Sequence, residues 1–413
     1  MADTHPLTGL VLTGGGARAA YQVGVLKALA EIRRQVTPAR SNPFPVISGT
    51  SAGAINAAAL ACAADDFDAA VARLCRVWEN FSAEQVYRAD SFGVIRTGAR
   101  WLTMMSIGWV IARWRRALPR SLLDNQPLEQ LLRRLVDTRR LRQVMGDGHL
   151  HAIAITASSY GSGLHVTFYD ALADIVPWTR SQRLAVRDSI TVGHLLASSA
   201  IPFVFPAVPL SIDGHVEYCG DGSMRQAAPI SPVVHLGAER ILIVGAGRMH
   251  EPPGERVGSS EYPNVAQIAG HALSNIFLDA LAVDVERLQR INATLALLTP
   301  RARAETSLKP IDVLVISPSE RLDDIAAKHL GSLPLPIRAM LRGVGVSGRG
   351  GDARGAALAS YLLFEAPYTR ELMALGVADT QARRDEVVSF FRWGESDVAP
   401  APGEAPAGAL KIE

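Results

Sequence analysis

Cysteine is scarce in this 413-residue chain. Cys62, Cys75 and Cys219 are an odd number without metal-ligand spacing, which argues against a disulfide framework or a zinc site. Long apolar runs are also missing: none reaches the roughly 18 residues that suggest a membrane span. The start, MADTHPLTGLVLTGGG, has no basic leader, and glycines break its apolar stretch at once, so it does not read as a signal peptide. Cytoplasmic residence is expected, with peripheral membrane contact left open. Excess charge is lacking too: the net is +2, so the whole molecule does not look like a nucleic-acid binder. No internal repeat is visible. What the chain has in quantity is apolar side chains, 48% of its residues, enough to fill a sizeable core.

Short apolar runs alternate with helical patterns. LTGLVLT at 7–13 reads as a buried strand and 17–35 as a helix; FPVIS at 44–48 and the alanine-rich 52–64 repeat the pair. Further strands are expected at 150–158, 165–169, 239–247 and 311–318. This rhythm implies an α/β fold with a largely parallel sheet. Residues 80–148 read as helical throughout, an insertion over the sheet. The Gly- and Pro-rich 331–355 reads as a mobile connection, helical patterns return at 356–392, and the end cannot bury a core and reads as disordered. The division is then an α/β domain over 1–330, a helical C-terminal extension over 331–396 and a tail over 397–413.

Gly14, Gly15 and Gly16 stand in a row between the first strand and helix. Such turns bind phosphate through backbone N-H groups, but the P-loop spacing fails, because five positions after Gly14 it needs Gly-Lys-Ser/Thr and Ala19 and Ala20 stand where the Gly and Lys belong. A dinucleotide turn fits Gly14, Gly16 and Ala19, yet the second strand ends VISGTS, with no acid for a ribose. What does follow is Gly49-Thr50-Ser51-Ala52-Gly53 between a predicted strand and helix. In that context G-x-S-x-G means a nucleophile elbow: small residues permit the sharp turn that presents the serine hydroxyl at a helix N-terminus. Parallel first and second strands would bring the glycine turn beside Ser51, with free N-H groups aimed at a reacting carbonyl. The serine needs a base. None of the ten histidines has a setting that singles it out, whereas Gly220-Asp221-Gly222 frees an acid at a strand end; alone, it would be a turn signal.

Together GGGARAAYQVGVL, GTSAG, SSAIPFVFPAV and DGS, in that order across roughly residues 8–247, resemble the patatin-like phospholipases. These lipid acyl hydrolases use a Ser/Asp dyad without histidine. The resemblance implies a three-layer α/β/α fold with a mostly parallel central sheet, Ser51 as nucleophile, Asp221 as base, a role feasible near neutral pH without any unusual pKa, and Gly14, Gly15 and Gly16 as the oxyanion hole. Arg18 would help fix that turn, with Gly49, Gly53 and Gly222 supporting their motifs. Two positions depart from the pattern: Ala19 replaces the usual Gly, and Asp-Gly-Ser replaces the commoner Asp-Gly-Gly or Asp-Gly-Ala. Both lie past the reacting groups. The substrate implied is a fatty-acyl ester of a lipid or phospholipid, with no cofactor and no metal; oligomeric state is not readable. The rival is a catalytically inactive lipid-binding or scaffold protein on the same fold.

Charge is unevenly spread. Residues 96–142 carry eleven arginines against Asp124, Glu129 and Asp137, a local net of +8, and WLTMMSIGWVIARWRRAL within them holds three tryptophans. Trp and Met beside Arg suit a helix in an anionic membrane interface. Apolar residues on nearly every face suit an internal lid over an acyl channel. Either places the segment over the active site.

Overall fold

The computed structural model describes residues 6–37, 41–88, 121–249, 262–276, 280–347 and 355–394. The tryptophan-rich stretch 101–118 and the tail 397–413 lie outside them.

Ten strands form one sheet: β1 Thr8–Leu12, β2 Val46–Thr50, β3 Ala152–Ser159, β4 His165–Ala171, β5 Thr179–Arg180, β6 Arg183–Arg187, β7 Val208–Ile212, β8 His215–Asp221, β9 Arg240–Val244 and β10 Asp312–Ile316. Their order is β10-β9-β1-β2-β3-β4-β6-β5, with the β7–β8 hairpin joined to β3. From β10 to β3 every pairing is parallel. Antiparallel pairs enter where β3 meets β4 and β8. The short strands β5, β6 and β7 escaped the sequence reading because they are partly exposed and lack a long apolar run.

Side chains alternate across the sheet and so supply two cores. On β1, Leu10 and Leu12 enter one apolar cluster and Val11 the other. The first face is covered by α1 Ala20–Val36, α2 Ala52–Ala61 and α3 Phe67–Glu79. Next come α4 Gln126–Leu135, α5 Arg140–Gly146 and α6 Val192–Ser198, and their buried Leu132, Leu141 and Leu195 join the same cluster. The second face is covered by α7 Ser231–His235 and, after α8 Val265–Ser274, by α9 Ala280–Leu297. The result is a three-layer α/β/α fold with a mostly parallel central sheet, as the resemblance implied.

Beyond these lie α10 Pro300–Ala304, α11 Leu322–His329, α12 Leu335–Gly343, α13 Ala356–Ser360, α14 Ala366–Ala382 and α15 Arg384–Phe391. Helix α12 falls inside the stretch read as a mobile connection. Pro336 occupies its first turn, where a missing N-H costs nothing, and Ile337 and Leu341 anchor one face, so the Gly and Pro content misled. Helix α14 crosses α1 at backbone contact: a Cβ on Gly24 would lie 2.1 Å from the Met373 carbonyl oxygen. The C-terminal helices therefore belong to the first layer. Among the described residues, no helix is long and apolar enough to cross a membrane.

Candidate active site

Where β2 ends, the chain reverses into α2 within one residue. A Cβ on Gly49 would stand 2.5 Å from the Gly53 carbonyl oxygen, and one on Gly53 would stand 2.4 Å from that of Leu12. Only glycine fits either place. Ser51 between them takes φ 56° and ψ −131°, a conformation that costs a non-glycine residue about 1–3 kcal/mol and is kept where the surroundings over-determine it. That strain turns the hydroxyl off the strand at the positive end of α2. The Ser51 N-H donates to Ser198 Oγ at 2.9 Å, and Ser51 Oγ donates to Asp221 Oδ2 at 2.6 Å.

The two residues meet because two strands share one track beside β3. The last β2 pair is Thr50 with Thr156; the next residue of β3, Ala157, pairs with Asp221 at the end of β8. Strand β8 thus runs head-on toward the turn that ends β2. Asp221 is wholly buried, and its Oδ1 accepts the Ser223 N-H at 2.9 Å. Gly222 opens the following turn tight against Thr156, with no room for a Cβ. Below, Thr50 Oγ1 lies 2.7 Å from Thr156 Oγ1 and accepts Gln226 Nε2 at 2.7 Å. Burial pushes the Asp221 carboxyl up to about 6, against the hydrogen bonds from Ser51 and Ser223 that favour its ionised form. The role of base required no unusual pKa; enclosure within the sheet edge raises it all the same.

Among the described residues, no histidine lines the cavity at Ser51. His194 is buried with Nδ1 held at Thr191, and His215 and His271 are exposed elsewhere. Among the described residues, no three His, Cys, Asp or Glu side chains converge as metal ligands would.

The glycine turn follows β1. Thr13 fixes its start: its Oγ1 donates to the Val244 carbonyl and accepts the Ala246 N-H at 3.1 Å. Its carbonyl accepts Gln22 Nε2 at 2.7 Å. Gly16 takes φ +55°, and a Cβ there would lie 2.3 Å from the Tyr361 carbonyl oxygen. The N-H groups of Gly14, Gly15 and Gly16 donate to no acceptor among the described residues, although all three glycines are buried. Gly16 lines the same cavity as Ser51; Gly14 and Gly15 are not among its lining residues. Arg18 does not reach the cavity. It is buried, and its Nε donates to Ser360 Oγ at 2.8 Å.

From Ser51 the cavity runs along α2 past Ile55 and Ala59. Its lining is almost wholly apolar. Leu128, Leu131, Leu132 and Leu135 of α4 form one wall, so the described part of the 80–148 insertion closes over the site. Arg73 is exposed at the rim. Sequence reasoning missed Ser198, Tyr361 and the α4 leucines. Ser198 alone carried a signal, through its place in the SSAIPF block.

A family model described as patatin-like phospholipase matches residues 10–234, more than half of the chain. No curated protein matches the sequence. Among solved structures, VipD from Legionella pneumophila is 13% identical with a TM-score of 0.32, over 90% of this chain and 67% of that one. Human GIVD cytosolic phospholipase A2 is 11% identical with a TM-score of 0.44, over 94% and 62%. A complex of full-length SpcU with ExoU from Pseudomonas aeruginosa gives 18%, 0.24, 90% and 70%. The chain spans less than two thirds of the human enzyme's length, and likeness this remote bears on no individual residue.

Proposed function

Because the chain belongs to the patatin-like phospholipase family, we propose that it hydrolyses fatty-acyl esters of phospholipids through a Ser51 acyl-enzyme, with Asp221 as general base. The observation that carries this reading is the 2.6 Å hydrogen bond to a buried carboxylate from Ser51 Oγ, which lies at an apolar cavity lined by no histidine among the described residues. Lipid ester hydrolysis is the chemistry that the family supports; the dyad and its steps are the proposal.

Asp221 takes the Ser51 proton as Oγ attacks the ester carbonyl. The carbonyl oxygen becomes an oxyanion and accepts hydrogen bonds from the glycine-turn N-H groups, which have no competing acceptor among the described residues. Asp221 returns the proton to the departing alcohol, leaving the acyl group on Ser51. A water then gives a proton to Asp221 and attacks the acyl carbonyl; Asp221 passes that proton to Ser51 Oγ as the acyl–serine bond breaks, and the fatty acid leaves. The raised carboxyl pKa brings the base closer to the working pH, which favours proton transfer in both directions.

A fluorophosphonate should label the wild type and leave Ser51→Ala unlabelled. An inactive lipid-binding scaffold on the same fold would show no serine-dependent labelling and no release of fatty acid.

The apolar cavity suits an acyl chain lying along α2. From Ser51 to Ala59 the helix rises about 12 Å, so Ala59 lies well down the chain from the reacting carbonyl. Ala59→Phe should cut activity on long-chain esters at least tenfold, by about 1.4 kcal/mol of transition-state binding, and spare short-chain esters. Equal activity across chain lengths would place the acyl group elsewhere.

Peripheral membrane contact through residues 96–142 fits the rim. Phe203, beside the cavity-lining Ile201 and Phe205, is 75% exposed on a left-handed backbone at φ 66°. Arg73 and Arg134 have no acidic partner among the described residues. An exposed aromatic next in sequence to cavity-lining residues, and an exposed arginine at the cavity rim, suit an anionic lipid surface.

A further inference from the structure

The family match ends at residue 234, yet the glycine turn is held by residues far beyond it. The Ala17 N-H donates to the Tyr361 carbonyl oxygen at 3.1 Å, the same oxygen that leaves no space for a Cβ on Gly16. One residue later, Arg18 is 3% exposed and has three kinds of partner, all C-terminal. Its Nε donates to Ser360 Oγ at 2.8 Å, its Nη2 forms an ion pair with Asp323, and its guanidinium lies 4.0 Å from the centre of the Tyr361 ring. The Ser360 hydroxyl in turn donates to the Ala357 carbonyl at 2.6 Å. Helix α11 brings Asp323 in its first turn, and α13 ends at Ser360.

We infer that Asp323, acting through Arg18 together with Ser360 and the Tyr361 carbonyl, is a positioning residue for the oxyanion-binding turn. The inference rests on the hydrolase reading above. A buried guanidinium demands a counter-charge. Asp323 supplies it and fixes the direction in which Arg18 leaves the backbone, while the Tyr361 carbonyl fixes the peptide between Gly16 and Ala17. Their joint effect is to hold the Gly15 and Gly16 N-H groups in one orientation before substrate arrives. Such preorganised donors act on the transition state and little on the ground state, so their loss should lower kcat and leave KM nearly untouched. None of these C-terminal groups touches the cavity chemistry, and Ser51 and Asp221 keep their own contacts without them.

The test is steady-state hydrolysis of a soluble short-chain ester by wild type, Asp323→Asn, Asp323→Glu and Ser360→Ala, with thermal melts on each. Asp323 is partly exposed, so the substitutions are compatible with a folded chain. Asp323→Asn should lower kcat about tenfold or more with KM within about twofold, and slow fluorophosphonate labelling of Ser51 in step. Asp323→Glu should restore most of it, and Ser360→Ala should fall between. Unchanged kcat in a folded Asp323→Asn protein overturns the inference and leaves the hydrolase reading intact. So does a loss of kcat that tracks a lower melting temperature and is not restored by Glu, which marks a purely structural contact. A wild type with no serine-dependent activity sinks both.

Discussion

Asp221→Asn should lower ester hydrolysis by about 10²–10⁴-fold, the usual worth of a general base, while raising the melting temperature at pH 8. The two effects have one origin. Wild-type Asp221 must be ionised to accept the serine proton, yet it is wholly buried, and burial raises its pKa from 3.8 to about 6. A carboxyl whose folded pKa is raised contributes stability below its unfolded pKa and loses it as pH climbs through the folded value. Above pH 6 the wild type therefore carries an ionised group that the fold disfavours, at a cost of about 3 kcal/mol. Asparagine keeps the shape, its carbonyl can still accept the Ser223 N-H, and it has no charge to bury. The variant should melt higher than wild type at pH 8 and lose that advantage at pH 4. Wild-type activity should fall on the acid side with a midpoint near pH 6. A melting temperature at pH 8 below that of wild type would refute the account. Full turnover by the folded variant would sink the Ser51–Asp221 dyad.

Gly16→Ala should reduce activity at least a hundredfold, because an oxyanion donor is worth about 10²–10³ in rate. The added methyl meets a backbone carbonyl at 2.3 Å, not a flexible side chain, and the site's φ of +55° is itself unfavourable to alanine. Either the turn or α13 must move, and overpacking of this kind costs about 1–3 kcal/mol of stability. Gly148→Ala is the control. Its φ of +80° carries the same conformational penalty, but nothing lies within 4 Å of the new methyl. Gly148→Ala should therefore lose about 1–2 kcal/mol with normal turnover. Equal turnover in the two variants, measured on a soluble ester, would show that the turn takes no part in the reaction.

The nucleophile side of the site was legible because its causes are local. A sharp strand-to-helix reversal needs small residues within a few positions, and Gly49, Ser51 and Gly53 carry that need in five letters; the glycine row after β1 does the same. The alternation of β1 and β2 with α1 and α2 was readable for a similar reason, since a strand buried on both faces is an uninterrupted apolar run. Distant relationships left no such trace. The alignment of β8 with β2 follows from pairings with β3 more than 60 residues away in sequence from Asp221. The clamp on Arg18 joins residues 342 positions apart. Asp221 was found through a motif, but its altered proton affinity depends on what covers it, and that is a property of the packed sheet. Helix α4 could be read as helical, whereas the direction of its leucines, into the cavity beside Ser51, depends on how the insertion folds back.

The shared track of β2 and β8 also has a temporal side. A chain emerging from the ribosome presents its serine some 170 residues before its base. Until Val208–Ile212 and His215–Asp221 close as a hairpin and add to the end of β3, the hydroxyl at the elbow has no proton acceptor. Such non-local pairing is slow compared with helix formation. On the proposed mechanism, nascent, truncated or partly unfolded copies would thus be chemically silent, and only a finished sheet would bring hydroxyl and carboxylate together.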